Sequence, residues 1–281
     1  MRLRPVRVAV VGHVEWVEFA RVEHVPLAGE IVHTDGSWQQ PGGGGAVAAV
    51  QLAKLAGQAT FFTALGDDEL GQRSRAELEA LGVSVRAAFL PVPQRRAFVH
   101  LDSAGERTIT VIGDRLGPSG RDPLPWAELA QADAVYFTAG DAGAVRAARA
   151  ARTLVAAARG LDVLAGVAVE LDALVASGSD AGERYEAGDL DPPPRLIVRT
   201  AGAAGGVWEE PGGTSGRWEA APLPGPVADA YGCGDSFAAG LTFGLGAGMP
   251  IDGAARLAAR CGAACLTGRG PYESQLTVAN G

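Results

Sequence analysis

An apolar run, Val8 to Val11, is followed by a glycine-led stretch with helical periodicity, Gly45 to Leu55 closed by Gly57, and then by a second apolar run, Ala59 to Leu65. Two buried strands around one helix lie parallel, with the helix covering one face of their sheet. Further strands are expected at Ala134–Phe137, Asp162–Ala165, Ala173–Ala176 and Leu196–Arg199, with a helical stretch over Asp141–Arg159 among them. The alternation predicts an α/β fold, a doubly wound three-layer α/β/α sandwich around a mainly parallel sheet. With 281 residues, 47% of them hydrophobic, the chain can bury one sizeable core, and a single domain over 1–281 is expected. Two regions interrupt the pattern. Residues 13–34 and 95–112 read as strand-rich, with a turn at Asp102-Ser-Ala-Gly105.

Charge narrows the partners. A net charge of -8 with no aromatic-interleaved basic run argues against nucleic acid. The N-terminal MRLRPVRVAVVG reads as a strand, not as a signal peptide or membrane span. Cys233, Cys261 and Cys265 form no C-x-x-C pair, and they read as reduced thiols of a cytoplasmic protein. Cys261 and Cys265 share one face of an alanine-rich helix, where core packing is expected.

The chemistry is concentrated in Asp229-Ala-Tyr-Gly-Cys-Gly-Asp-Ser-Phe237. Phe237, Leu241 and Leu245 recur on one helical face, so a helix begins where Gly232, Cys233 and Gly234 end. Its first N–H groups lack intrahelical partners and sit at the positive end of the dipole, which suits a phosphate. Asp235 at the mouth of that turn would repel a resting phosphate, yet it can accept the proton of an attacking alcohol. The competing reading is that Asp235 only caps its helix.

The segment DAYGCGDSFAAGL resembles the C-terminal signature of the ribokinase-like (PfkB) family of small-molecule kinases, D-T-x-G-A-G-D-x-F, with Ala230 and Cys233 departing from Thr and Ala. Upstream, PGGGGAVAAVQLAKLAG (Pro41–Gly57) resembles the family's glycine pair and small-residue helix. TALGDDELG (Thr63–Gly71) resembles the strand and turn that follow, and TAGAAGGVW (Thr200–Trp208) the T-L-G-x-x-G nucleotide segment. The resemblance implies ATP as phosphoryl donor, Mg²⁺ as its metal and a sugar-like alcohol as acceptor, and it leaves monovalent-cation dependence open. It assigns Asp235 as base and Gly232, Cys233 and Gly234 as anion hole. Gly43 and Gly44 fall in the acceptor pocket, and Thr200, Gly202 and Gly205 beside the nucleotide, with Ala258–Ala264 packed near the adenine. The strand-rich segments correspond to a small β lid, often shared with a second subunit, so a homodimer through the lid is implied. Surface hairpins without a gating role are the alternative, as is a flexible loop for Gly42–Gly45.

Three departures bear on the acceptor. The family's Asn and Asp after the first strand, and its Asn in the helix after the glycines, fall here on Glu15, Val17 and Val47. Valine cannot read hydroxyls as a carboxylate does. Alternation in His13-Val-Glu-Trp-Val17 puts Glu15 and Trp16 on opposite strand faces, leaving Glu15 as the pocket residue or as a solvated edge charge. The family's N-x-x-E metal segment is represented by Asp180-Ala-Gly-Glu183, with Glu183 acting on the metal indirectly, or else Asp180 serves as a helix cap. At an ordinary pKa of about 3.9, Asp235 would be ionised and weakly basic. The expected activity is a phosphotransferase acting on an alcohol of a sugar. The alternatives are a nucleoside kinase, which would use a base pocket near Trp16 and Phe98, and a non-catalytic ligand-binding relative.

Overall fold

The computed structural model describes residues 5–277; the first four and last four residues of the expected 1–281 span lie outside it. The strands and helices run β1 (Val8–Val11), β2 (Glu15–Arg21), β3 (Gly36–Gly42), α1 (Gly44–Ala56), β4 (Ala59–Gly66), α2 (Glu69–Ala80), β5 (Val83–Leu90), β6 (Arg96–Leu101) and β7 (Arg107–Ile112). They continue with β8 (Ala134–Phe137), α3 (Ala142–Ala148), β9 (Leu154–Ala157), α4 (Leu161–Leu164), β10 (Ala173–Ser177), β11 (Ile197–Thr200), β12 (Gly206–Glu209), β13 (Ser215–Trp218), α5 (Cys233–Gly246) and α6 (Ile251–Cys265).

Nine strands form one sheet in the order β13-β12-β11-β10-β9-β8-β1-β4-β5, parallel from β11 to β5 and antiparallel at β12 and β13. Its central strands β1, β8 and β9 are buried on both faces, as a sheet sandwiched between helices requires. Val8 and Val10 pack toward the layer that holds α1, α5 and α6, while Ala9 and Val11 pack toward α3 and α4. The three layers follow the alternation read from the sequence.

A second sheet, β3-β2-β6-β7, is the lid. Its β6–β7 hairpin turns at Asp102, whose Oδ1 accepts from the N–H groups of Ala104 and Glu106. The first lid segment needs correction: beyond β2 the chain to residue 35 forms no strand, and the fourth lid strand is Gly36–Gly42. That strand hid behind the polar composition of Ser37-Trp-Gln-Gln-Pro41, because it is largely exposed and owes its state to antiparallel pairing with β2.

The Asp141–Arg159 helix is also corrected. Only Ala142–Ala148 is helical, capped by Asp141 through Ala144 N–H, and Leu154–Ala157 is a central strand. Alanine's helical propensity favoured a continuous helix; tertiary contacts override it. Asp172 Oδ2 accepts from Leu154 N–H and pairs with Arg149, fixing the chain for a turn into β9. Asp162–Ala165, expected as a strand, is instead largely the short helix α4.

Candidate active site

The carboxyl ends of β1, β8, β9, β10 and β11 open into one cavity of about 420 Å³, closed from above by β7 through Ile109 and Val111. β1 pairs with β4 on one side and β8 on the other, so the sheet order switches direction there, the place where open α/β sheets leave a crevice for ligands. A larger cavity at the opposite end of β1 has no comparable convergence of charged groups.

The anion turn is held from below. Asp229 is fully buried; its Oδ1 accepts from Tyr231 N–H (2.8 Å) and its Oδ2 from Gly270 N–H (3.0 Å). Burial nonetheless pushes its pKa up, opposed by those two backbone donors. Gly232 ends the turn in the left-handed region at φ 81°, where a Cβ would stand 2.9 Å from both Pro271 and Val47. Helix α5 starts at Cys233, which places Asp235 in its first turn with no capping hydrogen bond, so the cap reading is overturned. Gly232, Gly234 and Asp235 line the cavity. Cys233, expected in the anion hole, is not part of the lining; its thiol faces the Asp229 carbonyl and Cys265.

Asp235 departs from the weak base expected of an ordinary aspartate. Its pKa is raised to about 7, first by burial and then by the facing Glu183 carboxylate. The glycine loop comes to meet it: a Cβ on Gly44 would lie 2.6 Å from Asp235 Oδ1. Gly43, at φ 84°, has Glu15 N and the His13 ring 3.1–3.2 Å from where its Cβ would be. These glycines are there for close approach. Gly43 N–H donates to the buried Tyr231 Oη (2.8 Å), tying the glycine loop to the anion turn.

Glu15 is buried and lines the cavity, and β2 is an interior strand, so the solvated-edge reading falls. Its Oε1 lies 2.8 Å from Arg95 Nε; burial raises its pKa and Arg95 opposes the shift. Trp16 points to the other face, with the Arg73 guanidinium over its ring, and Phe98 stacks edgewise on His100. Neither aromatic lines the cavity. Val17 and Val47 are fully buried core residues, outside the lining.

Several lining residues escaped sequence reasoning: His13, Thr138, Arg95, Arg107, Arg115 and Arg159. The arginines are scattered over lid, loop and sheet end, so no spacing links them. His13 Nδ1 and Thr138 Oγ1 are buried without a partner. Burial, then Arg115 and Arg95, lower the His13 pKa to about 3, so the ring is neutral near pH 7.

Of the residues expected beside a nucleotide, Thr200 lines the cavity and Gly202 begins a short turn next to it. Gly205 closes that turn at φ 80° with no space for a side chain against Trp218 O. Within Ala258–Ala264, Ala258, Cys261 and Ala264 are buried, and Gly240 of α5 has room for no side chain against Ala258 and Cys261. Cys265 is likewise buried, in line with core packing. Asp180 does cap a short turn, accepting from Gly182 N–H, and Arg159 bridges Asp180 and Glu183. Among the described residues no cluster of three His, Cys, Asp or Glu side chains forms a metal cage. Glu183 and Asp235 both line the cavity, and two carboxylates suit a hard divalent ion that takes few protein ligands.

No helix among the described residues is long and apolar enough to cross a membrane. The fold is shared with ribokinase from Cryptococcus neoformans var. grubii, solved with ADP (TM-score 0.75, 24% identity, 98% of each chain). It is shared too with Arabidopsis thaliana ribokinase, solved with ribose and ATP (TM-score 0.75, 19% identity, 99% of this chain and 97% of that one). Adenosine kinase from Sinorhizobium meliloti has the same fold (TM-score 0.77, 21% identity, 95% and 96%). Among curated proteins, 138 residues are 29% identical to an ATP-dependent ribose-1-phosphate kinase from Halopiger xanaduensis, over 47% of this chain and 46% of that one. A fructokinase of Klebsiella pneumoniae is 42% identical over 74 residues, 26% of this chain and 24% of that one. The chain thus spans less than half the length of these curated relatives. Residues 6–278 match the model of the pfkB family of carbohydrate kinases, and the chain belongs to that family.

Proposed function

We propose that the protein transfers the γ-phosphoryl group of ATP to a hydroxyl of a sugar or sugar-like acceptor. The observation that carries this reading is Asp235: a carboxylate with a pKa near 7 in the first turn of α5, against Gly44 and beside the backbone of the anion turn. The acceptor hydroxyl lies between the glycine loop and Asp235, which takes its proton as the oxygen attacks the γ-phosphorus. The bond to the β,γ-bridging oxygen breaks and ADP leaves. Charge growing on the transferring group is met by the N–H groups of Gly232 to Asp235 and by Arg107, whose charge opposes the upward shift of Asp235. Thr200, Gly202 and Gly205 flank the nucleotide. Glu183 is the residue that would help hold Mg²⁺, which would supply neutralisation of phosphate charge.

A nucleoside acceptor finds less support, because the two aromatics that would stack a base turn elsewhere. A lid shared between two copies is part of the proposal: β7 is an edge strand with Ile112 exposed, and sedimentation would read out the pairing. Incubation with ATP, Mg²⁺ and a panel of sugars, followed by ³¹P NMR, tests the reaction. A new phosphomonoester formed in step with ADP is expected; ADP released only with inorganic phosphate would contradict transfer to an acceptor.

A further inference from the structure

Glu15 stands in a stretch of chain that is pinned on both sides by one short segment. Gln94 Nε2 donates to Val14 O (2.9 Å), Arg95 O accepts from Trp16 N–H (2.9 Å), and the Arg95 side chain pairs with Glu15 itself at 2.8 Å. Three consecutive residues, the middle one lining the cavity, thus lean on residues 94 and 95. Gln94 is 3% exposed and lies outside the lining. Its Oε1 accepts from Gly66 N–H at the end of β4 (2.9 Å), its Nε2 also reaches Arg95 O (3.3 Å), and its backbone N–H donates to Asp68 Oδ2 (2.9 Å). The approach is so close that a Cβ on Gly66 would stand 2.3 Å from Gln94 N.

The amide is the group these links require. Gly66 N–H needs an acceptor and Val14 O needs a donor, and a carboxamide of glutamine's reach presents one of each. A carboxylate would set a second acceptor against Val14 O, and a methionine of similar length would leave both partners buried and unpaired. Burial alone would be met by an apolar side chain. What sets Gln94 apart is where its Nε2 ends: on the residue before Glu15, and on the carbonyl of Arg95, the partner of Glu15. A site residue held from behind in this way keeps its angle to a ligand, and a displacement of about 1 Å can cost about 100-fold.

We propose that Gln94 is a positioning residue for the acceptor: it fixes Glu15 and Arg95 as one unit, and Glu15 then takes a hydrogen bond from a sugar hydroxyl other than the one at Asp235. The inference rests on the kinase reading. Arg95 occupies Oε1, and the remaining lone pairs of the carboxylate serve that hydroxyl. The pairing also preserves the charge of Glu15, since Arg95 opposes the upward shift that burial gives its pKa. Gln94 acts only through these two residues and touches neither acceptor nor ATP.

The test reads steady-state kinetics of the wild type, Glu15→Gln, Gln94→Met and the double variant with ATP, Mg²⁺ and the best acceptor from a sugar panel. Gln94→Met should raise the acceptor KM about tenfold, with kcat and the KM for ATP changed less than about twofold, and should add little in the Glu15→Gln background. If Gln94→Met does not fold, Asp68→Asn replaces it: the variant can still cap α2 through Oδ1 while removing the acceptor from Gln94 N–H, and a milder form of the same split is expected. An equal rise in both KM values, a loss that adds in full to that of Glu15→Gln, or an unchanged acceptor KM would overturn the inference and leave the kinase reading standing. If no acceptor is turned over, the kinase reading falls and thermal shifts with the same sugars decide. A stabilisation lost in both Glu15→Gln and Gln94→Met keeps the positioning role; one that survives Gln94→Met, or no shift at all, ends it.

Discussion

Asp235 carries its proton at a pH where most aspartates have lost theirs, and both rate and stability follow from that. A base must be ionised to act, so kcat/KM is expected to rise about tenfold per pH unit below 7 and to level off above it, around the raised pKa of about 7. A profile flat from pH 5.5 to 8.5 would contradict a titrating base. Stability runs the other way. Between the ordinary value of 3.8 and about 7, the folded protein holds a proton that the unfolded chain has released, so stability falls as pH rises through this window. Asp235→Asn removes the buried charge and should stabilise the ligand-free protein by about 1–2 kcal/mol at pH 8, with the gain shrinking toward pH 4, as read by denaturant unfolding at both pH values. The sequence marked Asp235 because glycines and a helix start surround it. It could not give the pKa, since Glu183 reaches the site from 52 residues away through the fold.

At the scale of elements, the site is a joint between two loops. Tyr231 in the anion turn accepts the Gly43 N–H of the glycine loop, and Gly232 packs against Val47 of α1. Val47, unexpected as an acceptor residue, is thus where α1 receives the anion turn. Tyr231→Phe would leave a buried N–H unpaired, costing about 1–3 kcal/mol in denaturant unfolding and raising the acceptor KM. Unchanged stability and KM would show the joint to be unimportant. The motif around Thr63–Gly71 has a supporting role of the same kind. Asp68 caps α2 through Gly71 N–H and accepts Gln94 N–H, while Gln94 Oε1 accepts from Gly66 N–H, fixing the chain just before Arg95. Buried apolar runs made β1, β4, β8 and β10 legible. β9 and β3 were not, because an alanine-rich central strand and a polar lid strand owe their state to partners distant in sequence.

Over the whole molecule, the lid completes the cavity. Gly105 O in the β6–β7 turn accepts from Ala230 N–H, and Arg21 Nη2 of β2 donates to Ala228 O, so the lid rests on the chain leading into the anion turn. The same hairpin and the loop after it deliver Arg107, Ile109, Val111 and Arg115 to the cavity. Body and lid divide the proposed site: α5 and the sheet end bear the residues assigned to transfer, and the lid hairpin and the loop after it bear arginines of the lining. The division was half visible in the sequence, where the transfer motif is contiguous and the acceptor residues are dispersed. Everything converges on proton acceptance at Asp235. The most direct test is kcat of purified Asp235→Asn beside the wild type, with ATP, Mg²⁺ and the best acceptor. A fall of about 10²- to 10⁴-fold with the fold intact is expected, and equal rates for the two proteins would contradict it.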